Sequence, residues 1–157
     1  MNSISEAAAA IRQMVTLAMK SNHEGLLSTV SPMGLPHSTW MGCFCTPDFA
    51  HLITLTGIHT EKVTNIKVNP GVEWMFTSPD RLTVVYLQGK AEIILDESVI
   101  HKYTQLIPHE NRAAFMNYYR SGGEWCVLKT HIENAIYSMP AAYTKVQISG
   151  HQLGLHK

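Results

Sequence analysis

The chain reads as a mainly β domain with flanking helices, its sheet curled into a barrel. Three observations point there. Segments of alternating apolar and polar residues recur between short Pro-, Gly- and Asp-containing turns. One apolar segment, 82–95, outruns the roughly five or six residues of an ordinary strand and carries Gly89 near its middle, where a bulge lets a sheet bend. A length of 157 residues, 45% hydrophobic and 15% charged, suits one domain with a real core. Long curling strands joined by short turns close as barrels. No repeat, low-complexity stretch or linker divides the chain. It is therefore read as a single domain over 1–157, with an N-terminal helix over about 3–20, a barrel core over about 24–139 and a polar tail over 140–157.

Each element has a local reason. Ser3 and Glu6 have capping-box spacing ahead of a helix that lines up Ile11, Met14, Val15 and Ala18 on one face. Residues 25–30 form a strand, Ser31-Pro32-Met33-Gly34 a turn, and 37–45 the returning strand, which ends at Pro47-Asp48. Residues 52–56 alternate, with Ile53 and Leu55 on one face and Thr54 and Thr56 on the other. Asn69-Pro70 stops a short helix, and 72–77 is a strand ending at Ser78-Pro79-Asp80. Helices are expected over 96–106 and 109–119, separated by Pro108, and closing strands over 124–130 and 135–139.

Composition excludes several functions. Twelve basic and twelve acidic residues cancel and no basic run exists, so no nucleic-acid surface is expected. No apolar stretch approaches the ~20 residues needed to span a membrane, and the N-terminus lacks a basic signal-peptide region. Cys43 and Cys45 would share one strand face. The three cysteines read as buried hydrophobes rather than a disulfide or metal pair, and a cytoplasmic location fits them. The nine histidines form no His-x-x-x-His pair and no ligand-spaced cluster, so no metal is expected.

The most informative stretch is LITLTGIHTEKVTNIKVNP, 52–70. A strand ends at Gly57, Thr60 is a helix N-cap, and Lys62 falls in the first helical turn. There the helix dipole disfavours a cation by a few tenths of a kcal/mol, roughly. Free backbone N–H groups, a Thr hydroxyl and a Lys amine could together hold a phosphate. The plainer alternative is an exposed Lys at a solvated helix start. His59 could add a donor, though a turn His is the simpler account. Trp40 and Phe44 are expected in the sheet core or beside a ligand.

In order and spacing, Gly34-Leu35-Pro36, Leu55-Thr56, Thr60-Glu61-Lys62, Asn69-Pro70 and Gly89-Lys90-Ala91 resemble the FMN-binding split-barrel proteins related to pyridoxamine 5'-phosphate oxidase, the general-stress-protein-like branch more than the oxidase itself. The match covers about 24–95, with a looser fit to VLKTHIENAIYSM. The resemblance implies a split β-barrel and an FMN whose phosphate meets Thr60 and Lys62, helped by Leu55-Thr56. The ring would lie along Thr39, Trp40 and Met41. It implies a homodimer with cofactor at the interface and oxidoreductase activity on a small-molecule substrate. Another flavin, a deazaflavin or haem are alternative occupants, and a non-catalytic stress-related binding protein is the alternative function. No catalytic side chain is singled out.

The chain departs from that pattern at Glu61 and Thr39, where relatives often carry Arg, and at Val84, where they often carry Gln. The Arg-rich C-terminal segment of the oxidase has no counterpart, so pyridoxamine phosphate is not the expected substrate. Trp40, Phe44, Trp74, Met75 and Phe76 lie on sheet segments of a lightly charged chain. A monomer is expected to expose part of this set, which favours self-association.

Overall fold

The computed structural model describes residues 3–21, 24–107, 112, 117 and 124–154. Helix α1 (Ile4–Ser21) precedes a hairpin of β1 (Glu24–Val30) and β2 (Pro36–Cys45), then β3 (His51–Gly57) and the short α2 (Glu61–Val68). Strands β4 (Gly71–Thr77) and β5 (Val84–Ile94) follow, then α3 (Glu97–Thr104) and β6 (Trp125–Met139). A 3-10 turn (Pro140–Ala142), β7 (Thr144–Ser149) and α4 (Gly150–Leu153) end the described chain. The helix expected over 109–119 lies outside the described residues, apart from 112 and 117.

The strands form one antiparallel sheet in the order β3-β2-β1-β4-β5-β6-β7, and an additional β3–β6 pairing closes β1 to β6 into a six-stranded barrel. The fold is mainly β with flanking helices, a split barrel. Strand β6 both closes and splits it. Its first half pairs with β3 from Gly57↔Trp125 to His51↔His131, and its second half pairs with β7 from Asn134↔Ser149 to Met139↔Thr144. The two closing strands expected from sequence are therefore one strand of 15 residues. The polar run at 131–134 that reads as an interruption is where one partner gives way to another.

Gly89 sits opposite this handover. The β5–β6 register shifts between Gln88 and Gly89, the bulge anticipated from sequence. A Cβ at Gly89 would overlap the carbonyl of His131, so the close approach needs glycine. The polar tail is also structured. Ile148 and Leu153 are buried, and the guanidinium of Arg12 on α1 donates to the Leu153 carbonyl at 2.8 Å. Ser149 and Gln152 form a capping box at α4. The tail's short strand and single turn of helix left too little periodicity to read.

The capping box at α1 is present, with Ser3 N–H donating to Glu6 at 3.2 Å and Glu6 N–H donating to Ser3 Oγ at 3.1 Å. Ala7, Ala8, Ile11 and Val15 seat α1 on a main core that includes Leu27, Leu52, Trp74, Phe76, Val85, Leu87 and Leu128. A second cluster joins Phe44, Ile53, Leu55 and Val127 to Ile100 and Ile107 from the α3 side. Strand β3 is thus buried on both faces. Asp96 caps α3, accepting from the Ser98 and Val99 amides.

Two expectations about apolar side chains change. Trp40 is not in the core: it is 60% exposed. Trp74 and Phe76 are buried and cannot contribute to an exposed patch. The alternation of β2 and β4 puts Trp40 on the outer face and Trp74 and Phe76 inside.

Candidate functional site

The corner where β3 meets α2 collects polar groups. Thr56 ends the buried run of β3, Gly57 turns the chain, and Thr60 is the N-cap of α2. The Thr60 hydroxyl does not cap the helix; it donates to the Gly57 carbonyl at 3.0 Å and lies 3.4 Å from the Thr56 hydroxyl. Lys62 reaches back over the turn, its Nζ 3.5 Å from Thr56 Oγ1. The first amides of a helix have no intrahelical acceptor. Here those of Glu61 and Lys62 have no other partner among the described residues, whereas Val63 and Thr64 donate to the Thr60 carbonyl.

Lys62 is half-buried. Burial pulls its ammonium below the usual lysine range, and this is only partly offset by negative charge on neighbouring groups such as Glu61. Cys126 lies across the β3–β6 pairing from Thr56. Burial pushes its thiol up to about 11, so it is neutral at pH 7 and gives the ammonium no counter-charge. Glu61, the adjacent carboxylate, leans the other way: its Oε1 is 3.5 Å from His37 Nδ1 on β2. An amine, two hydroxyls and two helix-start amides thus lie at this corner, where Thr60 donates to the Gly57 carbonyl and the amine makes one weak contact at 3.5 Å. That donor set suits a phosphate.

The structure brings Thr56, Thr60 and Lys62 together and separates the remaining candidates. Leu55 points to the second core and is fully buried. Met41 is buried in the barrel, Thr39 is half-buried on the same side of the strand, and Trp40 stands on the opposite, outer face. His59 is on the surface beside Glu124, 3.9 Å away. Sequence reasoning missed His37, Thr29 and Asn65. The Asn65 side chain is buried and donates to Thr29 Oγ1 at 3.0 Å, and Thr29 is the cross-strand partner of His37. The one available signal was Asn65 standing four residues after Glu61, which puts both on one face of α2.

A separate cavity of about 300 Å³ lies near the end of α1, lined by Met19, Lys20, Phe44, Cys45 and Phe49 among others; it includes none of the corner residues. Among the described residues no group of three or more His, Cys, Asp or Glu side chains could hold a metal, and no helix is long and apolar enough to cross a membrane.

A six-stranded split barrel with flanking helices defines the fold class. The family model for pyridoxamine 5'-phosphate oxidase matches residues 10–134, and the chain belongs to that family. None of the curated proteins matches it. Solved structures share the fold. One is a Clostridium acetobutylicum protein related to general stress protein 26 of Bacillus subtilis, of the pyridoxinephosphate oxidase family (TM-score 0.74, 15% identity, covering 95% of this chain and 98% of that one). General stress protein 26 of Bacillus anthracis aligns at TM-score 0.62 and 20% identity over 88% of this chain and 98% of that one. A heme binding protein from Mycobacterium smegmatis aligns at 0.71 and 16% over 98% of this chain, which spans only 60% of that protein.

Proposed function

We propose that the protein is a cytoplasmic FMN-binding flavoprotein acting as an oxidoreductase on a small-molecule substrate. One observation carries this reading: the half-buried Lys62 ammonium, short of counter-charge, shares a corner with two hydroxyls and two helix amides that have no backbone partner among the described residues. A phosphate monoester would supply the missing negative charge and acceptors. Thr56, Thr60 and Lys62 would hold it, and the backbone of β2 at Thr39–Met41 would support the ring. A bound flavin supplies the redox chemistry; the chain supplies binding, orientation and water exclusion. Family membership supports the reading.

The same proposal includes a homodimer. On the outer face the register aligns Trp40, Leu26, Met75, Tyr86 and Ile136 into one apolar row across five strands. Trp40 is exposed and Leu26, Met75 and Tyr86 are half-buried, so the row offers an apolar stripe for a second copy. Trp40→Glu is expected to give monomers in sedimentation velocity at concentrations where the native chain is a dimer. A monomeric native protein would remove the shared interface.

The test of the cofactor is the absorption spectrum of the purified protein and the mass of the ligand released on denaturation. Flavin bands and the mass of FMN are expected. A Soret band with the mass of haem, or a deazaflavin mass, would replace FMN with that ligand. Reduction by a nicotinamide cofactor and reoxidation by an acceptor then separate an enzyme from a binding protein.

A further inference from the structure

Glu61 is the residue that fits a phosphate site worst, and the structure gives it a partner. His37 Nδ1 lies 3.5 Å from Glu61 Oε1. The contact is one half of a two-point attachment. Glu61 and Asn65 stand one turn apart on α2. They meet a cross-strand pair, His37 on β2 and Thr29 on β1. Asn65 Nδ2 donates to Thr29 Oγ1 at 3.0 Å, and Thr29 Oγ1 donates to the His37 carbonyl at 3.5 Å. The next residue of the helix, Lys62, bends instead toward Thr56 on β3. The helix start therefore sends its negative and positive side chains to different strands.

We propose that His37 is a positioning residue that draws Glu61 away from the anion site and, when protonated, cancels its charge, so that phosphate affinity at Lys62 rises as pH falls. This rests on the reading of the corner as a phosphate site. With neutral imidazole, Glu61 and Lys62 sum to zero; with imidazolium, the three groups sum to one positive charge. Among the described residues the imidazole's ion-pair contact is with Glu61 of α2, and β1 contributes neutral Thr29 at the paired position. The Glu61 and His37 side chains are 60% and 39% exposed, so solvent screens the pair and the effect is modest, about threefold to fivefold in affinity.

The experiment measures FMN affinity by fluorescence titration at about pH 6 and about pH 8 for the native protein, His37→Gln, Glu61→Gln and the double variant. Titration of the FMN phosphate itself, with its second pKa near ~6, is common to all four proteins and cancels in the comparison. Glu61→Gln is expected to bind about threefold tighter than the native protein at the higher pH. His37→Gln is expected to bind about threefold weaker at the lower pH and to lose the extra pH dependence, and the double variant to match Glu61→Gln at the higher pH. Weaker binding by Glu61→Gln, or a native pH profile in His37→Gln, overturns the proposal. Inorganic phosphate, followed through the amide signals of Thr60 and Lys62, separates the two readings. Phosphate binding that depends on His37 in a protein that ignores FMN keeps the latch and discards the flavin. Tight FMN binding identical in all four proteins discards the latch and keeps the flavin. No response to either ligand discards both.

Discussion

The barrel interior and the β3–α2 corner both bury polar side chains, and they treat them differently. Inside, Trp74 Nε1 donates to Thr130 Oγ1 at 3.0 Å, and Asn65 donates to Thr29 at the same distance, with all four residues almost wholly buried. At the corner Thr60 donates to the Gly57 carbonyl at 3.0 Å, the other contacts stretch to 3.4 and 3.5 Å, and among the described residues Lys62 has no close counter-ion and the Glu61 and Lys62 amides no backbone acceptor. An unpaired buried polar group is costly, so interiors complete their hydrogen bonds. The looser contacts of the corner are consistent with the proposed anion site.

The comparison breaks first if the interior pairs contribute little. Thr130→Val keeps the shape and strands the Trp74 N–H, and it is expected to destabilise the fold by about 1–3 kcal/mol in urea denaturation. No measurable loss would mean that the interior is no better satisfied than the corner.

Lys62→Ala should behave the other way. It is expected to weaken FMN binding by about 1–3 kcal/mol, the scale of a charge-assisted hydrogen bond, while leaving ligand-free stability unchanged or raised. The second half follows from burial, which works against the ammonium in the folded state. Loss of stability without loss of affinity would make Lys62 a structural residue.

Much of the barrel was legible because period-two alternation and turn chemistry are local signals. The first five barrel strands, the bulge at Gly89 and the cap at Ser3 follow from residues within a few positions of one another. The single β6 did not, because a strand that changes partners carries polar residues at the change and reads as two. The tail escaped because β7 and α4 are six and four residues long and depend on Ile148, Gly150 and Leu153 packing against distant β6 and α1. At the site, Thr56, Thr60 and Lys62 are near neighbours in sequence and were found together. His37 and Asn65 were missed because they meet through a strand register set by the β1–β2 turn, and Leu55 was misjudged because alternation alone does not say that β3 is buried on both faces.

The thiols sharpen the same contrast at smaller scale. Cys126, beside the corner, is pushed up to about 11, and Cys45 to about 12, in both cases by burial first. The unfolded thiols ionise near the ordinary value of 9.0, so above it the unfolded chain binds fewer protons than the folded one. Stability held by neutral thiols is full below that value and is lost as pH climbs toward the folded values. Replacing Cys45 and Cys126 with Ala is expected to flatten the fall in Tm between about pH 9 and about pH 11. An unchanged alkaline slope would locate the fall elsewhere.

The most direct test of the corner as a phosphate site compares FMN with riboflavin, which share a ring and differ in the phosphate. Fluorescence titration of the native protein and of Lys62→Ala gives four affinities. FMN is expected to bind the native protein at least tenfold tighter than riboflavin, a difference of about 1.4 kcal/mol, with Lys62→Ala removing most of that margin. Equal affinity of the native protein for FMN and riboflavin, or a margin that survives in Lys62→Ala, would contradict the assignment.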